Sequence, residues 1–438
     1  MSTRGSLLRV LGIAFGIAAV VGGMVGQGIL RTPGIIAGAL PSPELILVLW
    51  LAGGLLSAIN SLAYIELATA IPCAGGTYDF VRRAFGPLAG VVTGWGAWFV
   101  LVTLQGFLGI VVAEFAHRLG VLSQLHPSAI AVGVIAIFSA LNWTSTRIAG
   151  DSQILFSAVK GAALLGLVAV LFAHPSAASD QGLPAASAAI GIGAFAIAMR
   201  AIINTYHGWD EVVFFSEEME SPQRTIPRAI LFGIGGVTLL YMLINIAFLH
   251  VLSPSGMAGS TLVAADAAKV ALGPAGEQAM TIFALVSVAA ITNLAIMKGA
   301  RISFALARAR QLPSKLAEVS STGIPRWALG VSSLLAMGFA ATGTYDTVVA
   351  MNIPVGTAIV IAVNFAAIRL RRTQPDLERP FRIPLYPLPP LVAIALNAAF
   401  LVAILVEDPV NSLVGFFGLA CVGLVYFLIG RRLRPQIA

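Results

Sequence analysis

Two apolar runs, each long enough to cross a membrane, are interrupted by residues whose freed backbone can bind charge. In the first run, 10–40, the interruption is Gly22-Gly23-Met24-Val25-Gly26-Gln27-Gly28; in the second, 188–216, it is Asn204-Thr205-Tyr206-His207-Gly208-Trp209-Asp210. A helix that stops leaves its last carbonyls without partners, and one that starts leaves its first N–H groups free. The N–H end suits an anion and the carbonyl end a cation. Gly26-Gln27-Gly28 would open such an N–H end, and the carbonyls near Met24 and Val25 would close the preceding half. A zwitterion with carboxylate and ammonium on adjacent atoms fits between them. A glycine-rich packing face is the competing reading, because glycine is common in membrane helices.

The second interruption adds side chains. Gly208 frees the backbone, the carbonyls from Asn204 to His207 can accept an ammonium, and Tyr206, His207 and Trp209 supply bulk to close over a ligand. His207 alone reads equally as a core histidine. Asp210 and Glu211 follow at membrane depth, where a carboxylate costs about 2.5–3.5 kcal/mol and marks function by default. Capping of the following half-helix is their alternative role. Lys160 sits mid-span within Phe156-Ser157-Ala158-Val159-Lys160-Gly161, too deep to snorkel easily. Its ammonium needs carbonyls or hydroxyls, with an ion pair to Asp210 or Glu211 as the alternative. On carbonyls it would tie the first break to the eighth span, as a permanent cation. Lys298 is a second deep lysine, closer to a cluster of arginines and within snorkelling reach of them.

The elements that carry these residues follow from composition. The chain is 58% hydrophobic and 10% charged, with a mean hydropathy of +0.92, against roughly 25% charged residues in a soluble domain. Runs of membrane length predict about twelve transmembrane helices: 10–40, 44–68, 88–116, 129–147, 152–173, 188–216, 228–252, 278–306, 326–344, 347–368, 387–405 and 411–430. The first run lacks a small-residue cleavage site and reads as a retained helix. The net charge of +7 sets topology and does not mark a nucleic-acid partner. Arg4, Arg9, Arg82, Arg83, Arg147, Arg224, Arg228, Arg301, Arg308, Arg310, Lys315, Arg326, Arg369, Arg371, Arg372, Arg379, Arg382, Arg431, Arg432 and Arg434 all fall on one side of alternating spans. Arg118 and Lys269 remain on the other, which puts both termini in the cytoplasm. Spans 1–5 and 6–10 lie over each other, each set opening on a broken helix, and an odd repeat inverts its topology. The fold class is therefore an all-α integral membrane protein with a five-plus-five inverted repeat. A transport core of 1–368 is followed by peripheral spans 11 and 12 with a tail, 369–438. The connection 252–278 contains Pro, Ser and Gly with room for a short helix. Gly86, Gly90 and Gly94 read as a packing stripe. Cys73 and Cys421 form neither a metal pattern nor a disulfide framework.

With these residues in place the chain resembles the amino acid–polyamine–organocation superfamily, closest to its L-type amino acid transporter branch. Val25-Gly26-Gln27-Gly28-Ile29-Leu30 is similar to that branch's first-helix signature, which usually reads Gly-Ser-Gly. Tyr206-His207-Gly208-Trp209-Asp210, Ser216-Glu217-Glu218-Met219 and Pro222-Gln223-Arg224-Thr225-Ile226-Pro227 match its sixth helix and exit. Gly75-Gly76-Thr77-Tyr78, Arg83-Ala84-Phe85-Gly86, Ala307-Arg308 and Leu312-Pro313-Ser314 resemble its loops 2–3 and 8–9. The resemblance implies alternating access. It implies substrate carboxylate on the N–H groups of Gln27 and Gly28, and ammonium on the carbonyls of Met24, Asn204 and His207. It makes Lys160 a stand-in for sodium and gives Asn293 a counterpart in the family's eighth helix.

Three departures bear on specificity. Asn204 stands where the branch usually holds an aromatic gate, Gln27 replaces a serine, and His207 replaces a small residue. These changes narrow the pocket toward small substrates or add polar contacts for a hydrophilic one. The loop 117–127 has no cysteine, so a disulfide-linked heavy-chain partner is excluded. The reading is a sodium-independent L-amino acid exchanger of small or medium neutral substrates. It would be a stand-alone prokaryotic inner-membrane protein, monomeric or weakly homo-oligomeric, with no metal or cofactor. Proton-coupled symport of neutral or cationic amino acids is the alternative, with Asp210, Glu211 or His207 as carriers. An intramembrane enzyme lacks its nucleophile or metal motif, and a channel lacks rings of charge.

Overall fold

The computed structural model describes residues 7–40, 42–176, 192–342 and 345–433. The side chain of Gln27, the start of the expected sixth span (188–191), the end of the ninth (343–344), Arg4, Arg434 and the side chains of Arg431 and Arg432 lie outside the described residues.

The described chain is helical, with one isolated parallel bridge between Leu11 and Met219. The helices are α1 (Ile13–Met24), α2 (Gln27–Ala39), α3 (Pro43–Ala70), α4 (Thr77–Phe85), α5 (Pro87–Arg118), α6 (Pro127–Asn142), α7 (Thr146–Ala173) and α8 (Ile192–Thr205). After a 3-10 stretch, Glu211–Glu218, come α9 (Pro222–Val251), α10 (Pro254–Met257), α11 (Val263–Leu272), α12 (Pro274–Arg308), α13 (Arg326–Thr342), α14 (Tyr345–Thr373), α15 (Leu388–Glu407) and α16 (Pro409–Leu433). Many open on proline, whose fixed φ and missing N–H suit the first helical turn. Among the described residues nine segments are long and apolar enough to span a bilayer, counting α1 and α2 together. Spans 4, 6 and 9 are shorter: α6 has 16 residues and α13 has 17, so α6 reaches about 24 Å.

Proline and serine starts shift several expected boundaries. Ser145 accepts a hydrogen bond from the Ile148 N–H and starts α7 before residue 152. Arg147 therefore lies in the first turn of α7, not at the end of span 4. Pro222 starts α9, so Arg224 and Arg228 are helical rather than in a connector. Arg369, Arg371 and Arg372 end α14. The connection 252–278 holds two short helices, α10 and α11. The loop between spans 2 and 3 contains α4, which the sequence reading treated only as a loop.

Helix α5 lies against α12, α13 and α14, while α1 packs on α7 and α9, and α2 on α8. Gly90 and Gly94 give α5 its close approach to Arg82 and Tyr78 of α4 and to Leu306 of α12. α15 leans on α14 and α3, and α16 on α14 and α5. Their outer sides carry Val406 and Phe417, 78% and 71% exposed, while Lys160, Asn245 and Asn293 are fully buried. Apolar outside and polar inside is the pattern of a body solvated by lipid. The arginine-rich face is sealed by ion pairs. Arg301 donates twice to Glu218, at 2.8 and 2.9 Å, with both side chains buried. Arg308 pairs with Glu217 at 2.6 Å, and Arg371 with Glu66. The segment before α1 adds backbone: the Val10 and Leu11 N–H groups donate to the Glu218 carbonyl at 3.1 Å, and the Glu220 N–H to that of Leu11 at 3.0 Å.

Candidate functional site

The first break is two residues wide. α1 runs through Gly22 and Gly23 to Met24; only Val25 and Gly26 are extended before α2 begins at Gln27. The expected seven-residue interruption is narrower because its first two glycines serve close packing inside a continuing helix. A Cβ on Gly22 would lie 2.4 Å from Gln153 and Ser157 of α7; one on Gly23 would lie 2.6 Å from Glu211.

Three carbonyls at the end of α1, those of Gly22, Met24 and Val25, have a donor from another helix. The Lys160 ammonium of α7 donates to the Gly22 carbonyl at 3.0 Å and to that of Val25 at 2.9 Å. The Ser287 hydroxyl of α12 donates to the same Val25 oxygen at 3.3 Å, and the Tyr241 hydroxyl of α9 to Met24 at 2.7 Å. Lys160 thus uses carbonyls and not Asp210 or Glu211, and it meets α12 at one shared oxygen. The attraction between an ammonium and the negative end of a helix is stronger out of water, and it offsets part of the cost of burying the charge. The Met24 carbonyl, which the family resemblance assigns to substrate ammonium, keeps one lone pair beside its bond to Tyr241. No side chain caps α2, so its first N–H groups, from Gln27 and Gly28, open onto the break.

The second break is wider. α8 ends at Thr205, residues 206–210 form turns, and the chain continues as a 3-10 helix. Asn204 and Thr205 are therefore helical, and no half-turn of α-helix follows Asp210, whose side chain caps nothing. Gly208 has φ +105°, and a Cβ there would lie 2.6 Å from the Gly23 carbonyl carbon. The last turn of α1 and the second break thus touch backbone to backbone. Thr205 meets Gly28, where a Cβ would come within 2.8 Å, and its hydroxyl bonds that of Thr32 at 2.7 Å.

The side chains of this turn go to different places. Tyr206 is buried and donates its hydroxyl to the Trp50 carbonyl at 2.8 Å, within an aromatic cluster with Trp50 and Tyr241. Trp209 is buried edge-on against Tyr64, with ring centres 4.8 Å apart. Both rings, expected as bulk over a ligand, are core packing in this structure. Asn204 and His207 are exposed. His207 is also within electrostatic reach of Asp210 and Lys298.

Two features correct or extend the sequence reading. Lys298 does not snorkel: it turns inward, 6% exposed, and bonds Glu211 at 2.8 Å with the Phe214 ring 4.8 Å away. Asn293 is the centre of a buried chain. It accepts from Asn142 at 2.7 Å and donates to Gln153 at 3.4 Å; Gln153 reaches Ser157, which donates to the Ala18 carbonyl at 2.7 Å. Tyr241, Ser287 and Gln153 were not singled out from sequence. Each is a polar side chain deep in an apolar span, the same signal that marked Lys160. Among the described residues no group of His, Cys, Asp and Glu side chains is arranged to hold a metal.

Residues 6–429 match the family model for amino acid permeases. The chain is 27% identical to the serine/threonine exchanger SteT of Bacillus subtilis, covering 97% of this chain and 98% of that one. It is 25% identical to the b(0,+)-type amino acid transporter 1 of Mus musculus, with 92% and 84% covered. With the large neutral amino acids transporter small subunit 2 of Oryctolagus cuniculus, identity is 29% over 97% and 81%.

Proposed function

The chain belongs to the amino acid permease family, a family of multi-pass membrane transporters and not of enzymes, and from that premise we propose that it exchanges small or medium neutral L-amino acids without sodium. The observation that carries this reading is Lys160, whose ammonium rests on the Gly22 and Val25 carbonyls. An ammonium seated on those carbonyls stands in for a coupling cation, so the energy of uptake comes from a second amino acid leaving. The substrate carboxylate takes the N–H groups of Gln27 and Gly28. Its ammonium takes carbonyls at Met24, Asn204 and His207. The exposed Asn204 and His207 side chains meet the substrate side chain, and their size and polarity favour a small or hydroxylated one. The serine/threonine exchanger among the relatives supports the same class.

In this proposal residues 1–368 are the transport core, with α15 and α16 beside it. The arginine-rich face is cytoplasmic, as are both termini, in a prokaryotic inner membrane. No disulfide joins it to a heavy chain through the loop 117–127, which holds no cysteine; the protein works as a monomer or weak homo-oligomer.

Counterflow in proteoliposomes tests the reading. Labelled L-threonine is expected to enter vesicles loaded with unlabelled threonine or serine, and to enter empty ones at a small fraction of that rate, with or without sodium. Concentrative uptake into empty vesicles that collapses with a protonophore would overturn exchange.

A further inference from the structure

The arginine-rich face spends many of its cations on carboxylates, but one corner of it does not. Arg301, Arg308, Arg371 and Arg379 each meet an acid. Arg147 in the first turn of α7, Lys315 before α13 and Arg326 at its start meet none: among the described residues no carboxylate lies within 4.0 Å of these three. The Arg326 Nε is also buried without a hydrogen-bond partner. A guanidinium N–H shut away from its surroundings needs an acceptor. The three cations share one place. The Thr146 N–H donates to the Thr322 carbonyl at 3.4 Å, and its hydroxyl to that of Gly323 at 3.2 Å, which sets the start of α7 against the turn leading into α13. The Lys315 ammonium lies 5.9 Å from the centre of the Trp327 ring. Trp143, which ends α6, lies on α13: a Cβ on Gly330 would be 3.4 Å from its ring. Trp327 and Trp143 are 54% and 40% exposed, although Ala328 and Leu329 next to Trp327 are buried. Two neighbouring spans, α6 and α13, therefore end in a seam that combines exposed indoles with uncompensated cations.

We propose that this seam binds the phosphodiester headgroup of an anionic phospholipid. Phosphate oxygens supply the acceptor that the Arg326 Nε lacks, in the planar geometry a guanidinium favours. Arg147 and Lys315 flank the same charge, and the acyl chains run down over Trp143 and Trp327. Indoles settle at the headgroup layer of a membrane, and basic pockets between the ends of spans take anionic headgroups. A soluble anion could use the cations but would leave both rings uncovered, so the aromatic pair selects a lipid. The same turn also seats the chain that leads into α1. Leu7 packs with Leu316 and Ala328, and Leu8 touches Gly323, where a Cβ would lie 3.0 Å away. A headgroup that bridges α7 and α13 therefore firms the seat of the first broken span and steadies the sealed arrangement of this face. The site is independent of which substrate is carried.

Fluorescence quenching in vesicles reads this site directly, because Trp143 and Trp327 are exposed while Trp50, Trp98 and Trp209 are buried. The full chain is reconstituted in brominated phosphatidylcholine, which quenches exposed indoles, and unbrominated phosphatidylglycerol or phosphatidylethanolamine is added to displace the quencher. Half recovery is expected at a fraction of phosphatidylglycerol roughly tenfold or more below that of phosphatidylethanolamine. Lys315→Gln, at an exposed position, should raise that fraction about fivefold, the usual worth of one basic residue beside anionic lipid, and Lys315→Arg should restore it. Arg326→Gln/Lys315→Gln should erase the preference between the two lipids. Equal recovery by both lipids in the wild type would overturn the proposal. So would a preference that survives in the double variant, which would assign it to the basic face as a whole. Loss of the preference in millimolar glycerophosphate would make the site one for a soluble anion and would also overturn it. None of these readings uses an amino acid, so counterflow judges the exchanger reading separately.

Discussion

The two broken spans resemble each other in sequence and differ in structure. The first break is two residues long, and the carbonyls that end α1 are held by Lys160, Ser287 and Tyr241 from three other helices. The second is a turn followed by a 3-10 helix, with two exposed side chains and unpartnered carboxyl oxygens. Where donors are plentiful the backbone is pinned; where they are absent the chain stays open to a ligand. On the proposed exchanger reading, the first break supplies fixed geometry for the part all amino acids share, and the second is where a substrate makes a difference.

Substitutions can break that contrast. The largest effect is expected at the contact between the breaks. Gly208→Val meets both a left-handed φ and the Gly23 backbone at 2.6 Å, so transport should fall to background; wild-type counterflow in this variant would sink the claim that the breaks must touch. Next is Lys160→Ala, which strips two buried carbonyls of a charged donor. Charged hydrogen bonds are worth about 1.5–3 kcal/mol, so exchange should drop roughly 10- to 100-fold while membrane abundance holds, and normal kinetics would show that the first break needs no pin. Tyr241→Phe removes one neutral donor from Met24, about 1 kcal/mol; substrate Kd should weaken roughly fivefold, measured by threonine binding. The smallest effect on overall rate is expected at the open side of the comparison. His207→Ala should leave abundance unchanged and shift preference among serine, threonine and larger neutral amino acids by less than about tenfold; a competition series against labelled threonine reads this, and an unaltered ranking would remove His207 from the pocket.

Much of the frame was legible because membranes restrict the choices. Apolar length located the spans, and glycine-rich segments in two of them located the breaks. Lys160 was readable as a seeker of carbonyls because a lone ammonium at mid-span has few other solutions. Lys298 was misread, since sequence position gives depth along a helix but not the direction a side chain faces; its partner Glu211 is 87 residues away. The extent of the first break was hidden for a similar reason. Gly22 and Gly23 look like helix breakers alone, and only the neighbours at Gln153 and Glu211 show that they are places where other groups come close.

The halves of the broken spans are also joined across the molecule. Thr32 and Gly28 fasten α2 to Thr205 at the end of α8. On the arginine-rich face, the Leu11–Met219 pairing fastens the entry to α1 to the exit of the 3-10 helix. Each broken span is thus tied to its twin on both sides of its break. With the last turn of α1 against Gly208 of the second break, an amino acid bound there in the proposed exchanger sits at a pivot, where a small contact has the greatest leverage over which face is open.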